Sequence, residues 1–270
     1  MTTVAQAFAR ARDENRAALI AYLPAGFPDQ QTSVRIIREM IAAGADIVEV
    51  GIPYSDPLMD GPVICEAAEV ALAQGTTTDH ALDVVGAVSD GDAAIVMMTY
   101  WNLIDRYGVA RFAQRLADAG GAGVITPDLT PEEGVTWITE CDARGLSHIF
   151  LAAPSSSDDR LATVGEAASG FVYAASVMGV TGVRQAVGTH AEELVQRVRR
   201  ATDQPVAVGI GVSTGEQAHA VAQFADGVIV GSAFVRRVLE AADDDAAVAA
   251  VGDLTRELAA SVSRPTPVVG

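Results

Sequence analysis

The chain of 270 residues carries 35 acidic against 18 basic side chains, a formal net charge of −17, and every basic residue is arginine. This balance disfavours nucleic acid and anionic membranes as partners, because both demand basic stripes that displace counterions, and the lack of lysine excludes imine chemistry on a lysine amine. Half the residues are hydrophobic, yet no apolar run approaches the roughly 18 residues of a membrane span.

At the amino terminus, Val4 and Phe8 predict a helix that plugs the floor of the fold, and Arg10, Arg12, Asp13, Glu14 and Arg16 interrupt any export signal. Leu19 to Leu23 reads as the first strand. Val34, Ile37, Met40 and Ile41 then place apolar groups on one helical face. Ile47 to Ile52 is a β-branched run of the kind buried on both faces of a parallel sheet. A long segment follows it, with helical stretches near Val63 to Ala73 and Asp79 to Val88.

Further strands are expected at Ala94 to Tyr100, Gly123 to Pro127, His148 to Ala152, Phe171 to Ser176, Val206 to Ile210 and Val228 to Gly231. Between them, Phe112, Leu116 and Ala119 mark a helix. Thr130-Pro131-Glu132-Glu133 and Ser213-Thr214-Gly215-Glu216 carry the signatures of helix starts. Eight strand–helix units in a chain of this length predict an α/β fold, a single (β/α)8 TIM barrel with an extra amino-terminal helix and a long loop after strand 2. No G-x-G-x-x-G follows the first strand to support a dinucleotide fold. One domain spans 1–270, with a frayed tail at 263–270.

Cys65 and Cys141 lie far apart in predicted helices, which suits a reducing compartment, and cytoplasm is the expected location. His80, His148, His190 and His219 show no pair at metal-ligand spacing, so no metal is expected.

The sharpest chemical signal is Glu49, an acid inside an apolar strand. Burial there raises its pKa toward neutrality and makes it able both to donate and to accept a proton. Asp60 follows in the next loop, at a distance along the chain that lets the loop fold back over the barrel mouth. Gly209 to Ser213 and Gly231-Ser232 end two strands and open helices, the places where a barrel holds a phosphate on backbone N–H groups without lysine. Ser176 to Arg184 reads as a lid that brings Thr181 toward an acid. Tyr22, Tyr100 and Tyr173 fall at or near strand ends, where they can wall a flat ring.

Taken together, the run from Glu49 through Asp60 to Pro62, the Gly179-Val180-Thr181-Gly182 segment and the Gly231-Ser232 pair resemble the tryptophan synthase α chain family, over nearly the whole sequence. The resemblance implies cleavage of indole-3-glycerol phosphate to indole and glyceraldehyde 3-phosphate, with no cofactor in this chain. It implies Glu49 as the general acid/base and Asp60 as the acid that binds the ring N–H. It further implies a phosphate cradle at Gly182, Gly211, Gly231 and Ser232, an apolar pocket of Tyr22, Ile64, Met98, Tyr100, Leu151 and Tyr173, and Thr181 as the lid residue bonding Asp60. The partner is an expected β chain carrying pyridoxal phosphate in an αββα complex, faced by Asp56, Pro57 and Asn102. Met59, Cys65, Tyr22 and Val177 depart from residues common in the family. Competing readings are a flavin-binding barrel, a metal-dependent sugar-phosphate epimerase and a non-catalytic activating subunit.

Overall fold

The computed structural model describes residues 1–175, 184–209 and 211–265, the side chains of 184–189 excepted. In chain order the elements are α1 (Val4–Asp13), β1 (Ala18–Pro24), α2 (Gln30–Ala42), β2 (Ile47–Gly51), α3 (Pro62–Ala73), α4 (Thr78–Val88), β3 (Ala94–Met98), α5 (Trp101–Tyr107), α6 (Val109–Asp118) and β4 (Gly123–Ile125). They continue with α7 (Val135–Asp142), β5 (Ser147–Ile149), β6 (Leu151–Ala152), α8 (Asp158–Ala167), β7 (Val172–Ala175), α9 (Arg184–Ala201), β8 (Val206–Gly209), α10 (Gly215–Ala222), β9 (Gly227–Val230), α11 (Ser232–Leu239) and α12 (Asp244–Ser261).

All the strand pairings among the described residues are parallel, in the order β5-β4-β3-β2-β1-β9-β8-β7-β6. The two ends of that series are consecutive in the chain, so the sheet closes into the expected barrel through residues 149–151. The fifth barrel strand is therefore broken where one continuous strand was expected. Its first half bonds β4 up to Ile149, its second half bonds β7 from Leu151, and Phe150 turns its side chain into the outer core at the changeover.

Period-2 alternation splits the core into two shells. Val48 and Val50 of β2 face the helices, where they join the large outer cluster, while Ile47 joins the barrel interior with Ile20, Val96, Ile125 and Ile149. The floor is closed by α1, as expected from Val4 and Phe8. Thr3 caps α1 in a reciprocal box with Gln6, and Val4, Ala7, Phe8 and Ala11 belong to the interior cluster. The Phe8 ring meets Phe171 at 5.5 Å between centroids and 52° between planes, a tilted pair of the kind that adds about 0.5–1.5 kcal/mol to plain burial.

An ion cluster that the sequence did not reveal fastens α1 and the following turn to the barrel. Asp46 is buried just before β2, takes Arg16 at 2.5 Å and Arg10 at 3.1 Å, and accepts the Leu19 backbone N–H at 2.9 Å. Strong hydrogen bonding to Asp46 raises the pKa of the Arg16 guanidinium further.

Both predicted helix starts are displaced. Thr130 and Glu133 do bond each other, but they close a single turn through Gly134 N–H to Thr130 C=O, and α7 begins only at Val135. At α10 the cap is Thr214, whose hydroxyl accepts the Gln217 N–H, and Gln217 rather than Glu216 reaches back to the Ser213 N–H. In the carboxyl-terminal stretch expected to fray, Ser263 bridges Arg16, and the Arg264 guanidinium donates to the Ala222 and Ala225 carbonyls. Residues 266–270 lie outside the described residues.

Candidate active site

Glu49 points inward from β2, beside Tyr22 of β1 in the strand register and opposite Val96 of β3. It is 1 % exposed, and its Oε1 has no hydrogen-bond partner among the described residues. Desolvation alone, with no compensating cation, pushes its pKa up to about 8. An unpartnered buried carboxyl is costly to the fold, and a site that keeps one has it ready for a ligand.

Asp60 sits at the end of the loop after β2, one residue before Gly61, the N-cap of α3. Partial burial raises its pKa, and the Tyr100 hydroxyl, 3.3 Å from Oδ2, opposes that rise by donating a hydrogen bond to the carboxylate. Tyr100 also accepts the Met59 backbone N–H at 3.1 Å, which ties the loop to the start of α5. Burial, with Asp60 close by, lifts the Tyr100 phenol to about 12, so at neutral pH it stays a donor.

Glu49 and Asp60 line one cavity of about 450 Å³ at the carboxyl ends of the strands, the face on which barrels of this class carry their chemistry. Tyr22 and Tyr173 stand in its wall; burial raises both phenols, and the charges of Asp60 and Glu49 raise them further, so both acids act on both rings. Ile64 from α3, Met98 from β3 and Leu151 from β6 complete the apolar wall. Gly211, Gly231 and Ser232 also line the cavity. There Gly211 takes φ +74°, and Gly231 opens α11 with no side chain capping its first turn, leaving backbone N–H groups for an anion.

Tyr100 acts on the cavity through Asp60 rather than lining it. Asp56 and Pro57 lie in the β2–α3 loop on the same rim, and Leu58 and Met59 beside them expose large apolar side chains. Asn102, on α5, donates to the Tyr54 hydroxyl at 3.2 Å, and the Tyr54 ring meets Tyr100 at 5.2 Å, so this rim is continuous with the support of Asp60. Thr181 and Gly182 lie outside the described residues.

Arg236 was not foreseen from the sequence, and neither were the roles of Gly51 and Gly209 beside the tyrosines, although Gly209 was expected at the phosphate-holding end of its strand. A Cβ on Gly51 would run into the end of the Tyr22 ring, and one on Gly209 into the end of the Tyr173 ring. These glycines are the seats of the two tyrosines, a cross-strand fact that no local motif carries. Arg236 lines the cavity from α11, four residues after Ser232.

Among the described residues no group of three His, Cys, Asp or Glu side chains is placed to hold a metal, and no helix is long and apolar enough to cross a membrane. Cys65 and Cys141 are both free thiols. His148 is buried, with Nε2 3.0 Å from Asp142 at the helix–strand junction, away from the cavity residues.

The family model described as tryptophan synthase alpha chain matches residues 8–263. The tryptophan synthase alpha chain of Thermobifida fusca is 55% identical over 265 residues, covering 97% of this chain and 98% of its own length. That of Acidothermus cellulolyticus is 55% identical over 264 residues, covering 98% of each chain. The solved Mycobacterium tuberculosis tryptophan synthase has a chain that superposes with a TM-score of 0.90 at 48% identity, covering 98% of this chain and 100% of that one. With this match running through the barrel and both cavity acids, the chain belongs to the tryptophan synthase alpha chain family.

Proposed function

We propose that this chain is the α subunit lyase of tryptophan biosynthesis, cleaving indole-3-glycerol phosphate to indole and glyceraldehyde 3-phosphate with Glu49 and Asp60 as its acid pair. The observation that carries the assignment of roles is the unpartnered Glu49 carboxyl, held largely protonated at neutral pH, sharing one apolar cavity with an Asp60 that is fixed by Tyr100.

In this reading, Glu49 gives its proton to the indole ring carbon that bears the side chain. The resulting indolenine nitrogen is positively charged, and the Asp60 carboxylate beside its N–H stabilises that charge. As the ring-to-side-chain carbon bond breaks, its electron pair flows into the ring toward nitrogen, and the side-chain hydroxyl becomes the aldehyde. Its proton returns to Glu49, so the carboxyl ends the cycle as it began. The two acids need opposite protonation states at one pH. Full burial without a partner for Glu49, against half-burial with a phenol donor for Asp60, supports that division.

Tyr22, Ile64, Met98, Leu151 and Tyr173 would enclose the ring, and Gly211, Gly231 and Ser232, with Gly182, would hold the phosphate. Thr181 would be the lid residue that hydrogen-bonds Asp60. Asp56, Pro57 and Asn102 would face a β chain in an αββα complex. The pyridoxal phosphate of that complex belongs to the β chain, and none of the steps above draws on it. A cytoplasmic location is supported by the two unpaired cysteines. The experiment is release of indole from indole-3-glycerol phosphate by the wild-type chain, with and without a β chain, set against Glu49→Gln and Asp60→Asn.

A further inference from the structure

The cavity that holds Glu49 and Asp60 contains one cationic residue among its described lining, Arg236. It stands one helical turn beyond Ser232 on α11. Helical side chains lean toward the N-terminus of their helix, which carries a long arginine back over the first turn and its uncapped N–H groups. Arg236 forms no ion pair and donates no hydrogen bond among the described residues, whereas Arg10, Arg16, Arg144 and Arg160 are each paired with a carboxylate. Its neighbour Arg237 is also exposed but does not line the cavity.

A phosphate dianion entering this cavity meets Asp60, the field of a chain with net charge −17 and, among the described residues of the Gly231 turn, uncharged groups alone: backbone N–H donors and the Ser232 hydroxyl. A guanidinium is the side chain suited to that end of the ligand, with N–H donors in a fork that matches phosphate oxygens. We propose that Arg236 is the positioning residue for the substrate phosphate, supplying the cationic contact that the glycine turns lack and thereby setting affinity without entering the bond-breaking step. This rests on the assignment of the Gly211, Gly231 and Ser232 part of the cavity to phosphate.

The test measures binding of glycerol 3-phosphate and of indole, a phosphate-free probe, by calorimetry on the full chain as wild type, Arg236→Gln, Arg236→Lys and Arg237→Gln. Steady-state indole release from indole-3-glycerol phosphate is followed for the same proteins. Arg236→Gln is expected to weaken glycerol 3-phosphate and raise KM by about tenfold at low salt, the size of one charge-assisted hydrogen bond. Its kcat should stay within about twofold and its indole binding unchanged, because a contact made equally in ground and transition states shows in KM alone. Arg236→Lys should recover most of the affinity, Arg237→Gln should behave as wild type, and the gap between wild type and Arg236→Gln should shrink at roughly 0.3 M salt, where exposed charges are screened. Wild-type affinity for glycerol 3-phosphate in Arg236→Gln overturns the role of Arg236 alone. A loss of kcat or of indole binding in that variant also overturns it, as the mark of a structural effect. Failure of the wild-type chain itself to bind glycerol 3-phosphate, with indole still bound, overturns the phosphate assignment and this proposal with it.

Discussion

The Tyr100 hydroxyl lies 3.3 Å from Oδ2 of Asp60 while accepting the Met59 N–H at 3.1 Å, so one phenol orients the loop acid and pins the loop that carries it. Tyr100 in turn packs against Tyr54, which holds Asn102 on the outer rim. The acid proposed to face the ring nitrogen is thus supported by side chains that reach the surface expected to face a partner.

Replacing Tyr100 with Phe keeps the ring packing and removes both hydrogen bonds. The expected result is a fall in kcat/KM of about tenfold, corresponding to roughly 1.4 kcal/mol of lost transition-state stabilisation. Because the phenol lowers the Asp60 pKa, its loss should also move the acidic limb of the kcat/KM profile to higher pH. Steady-state assays across pH check both.

Glu49 titrates near 8 in the folded chain against an ordinary value of 4.5. The folded state therefore holds this proton more tightly than the unfolded state. Stability is full below the unfolded pKa and declines as pH climbs from about 4.5 to about 8, then levels off. Glu49→Gln, which keeps the shape without the ionisation, should gain stability relative to wild type through that window by up to about 1.4 kcal/mol per pH unit. Urea unfolding at several pH values measures it, and a stability gap independent of pH would contradict the assigned burial.

The same group predicts an alkaline limb. In the proposed mechanism cleavage begins with a proton from Glu49, so kcat/KM should fall above about pH 8, as the carboxyl ionises. A flat profile through that region would assign the proton to another group.

Asp46 holds Arg10 and Arg16 on the face of the barrel opposite the cavity. Asp46→Ala strands two guanidinium groups and the Leu19 N–H, and should cost about 2–3 kcal/mol, less than for a fully dry pair because both arginines are partly exposed. Indole release at low temperature should be unaffected. Chemical denaturation alongside the activity assay separates the two effects.

What was readable beforehand followed from local pattern. Glu49 stood out because an acid interrupts an apolar alternation, and the barrel followed from repeated strand–helix units. The displaced starts of α7 and α10 show the limit of that approach: a capping signature states which groups can bond, while Gly134 and Gln217 decide where the helix begins. The seats of Tyr22 on Gly51 and of Tyr173 on Gly209 depend on the register between neighbouring strands that are well separated in sequence, β1 with β2 and β7 with β8. Arg236 becomes a cavity residue only once the direction of α11 is known. The break at Phe150 arises because its two flanking segments bond different neighbours, which a run of apolar residues does not encode.

The most direct test of the central claim is indole release from indole-3-glycerol phosphate by wild type and Glu49→Gln, each with a β chain present and each shown to be folded. The expected result is steady indole production by wild type and a loss of at least about a thousandfold in Glu49→Gln, the scale on which a single general acid/base acts. Turnover by Glu49→Gln within about tenfold of wild type would contradict the assignment of proton transfer to this buried carboxyl.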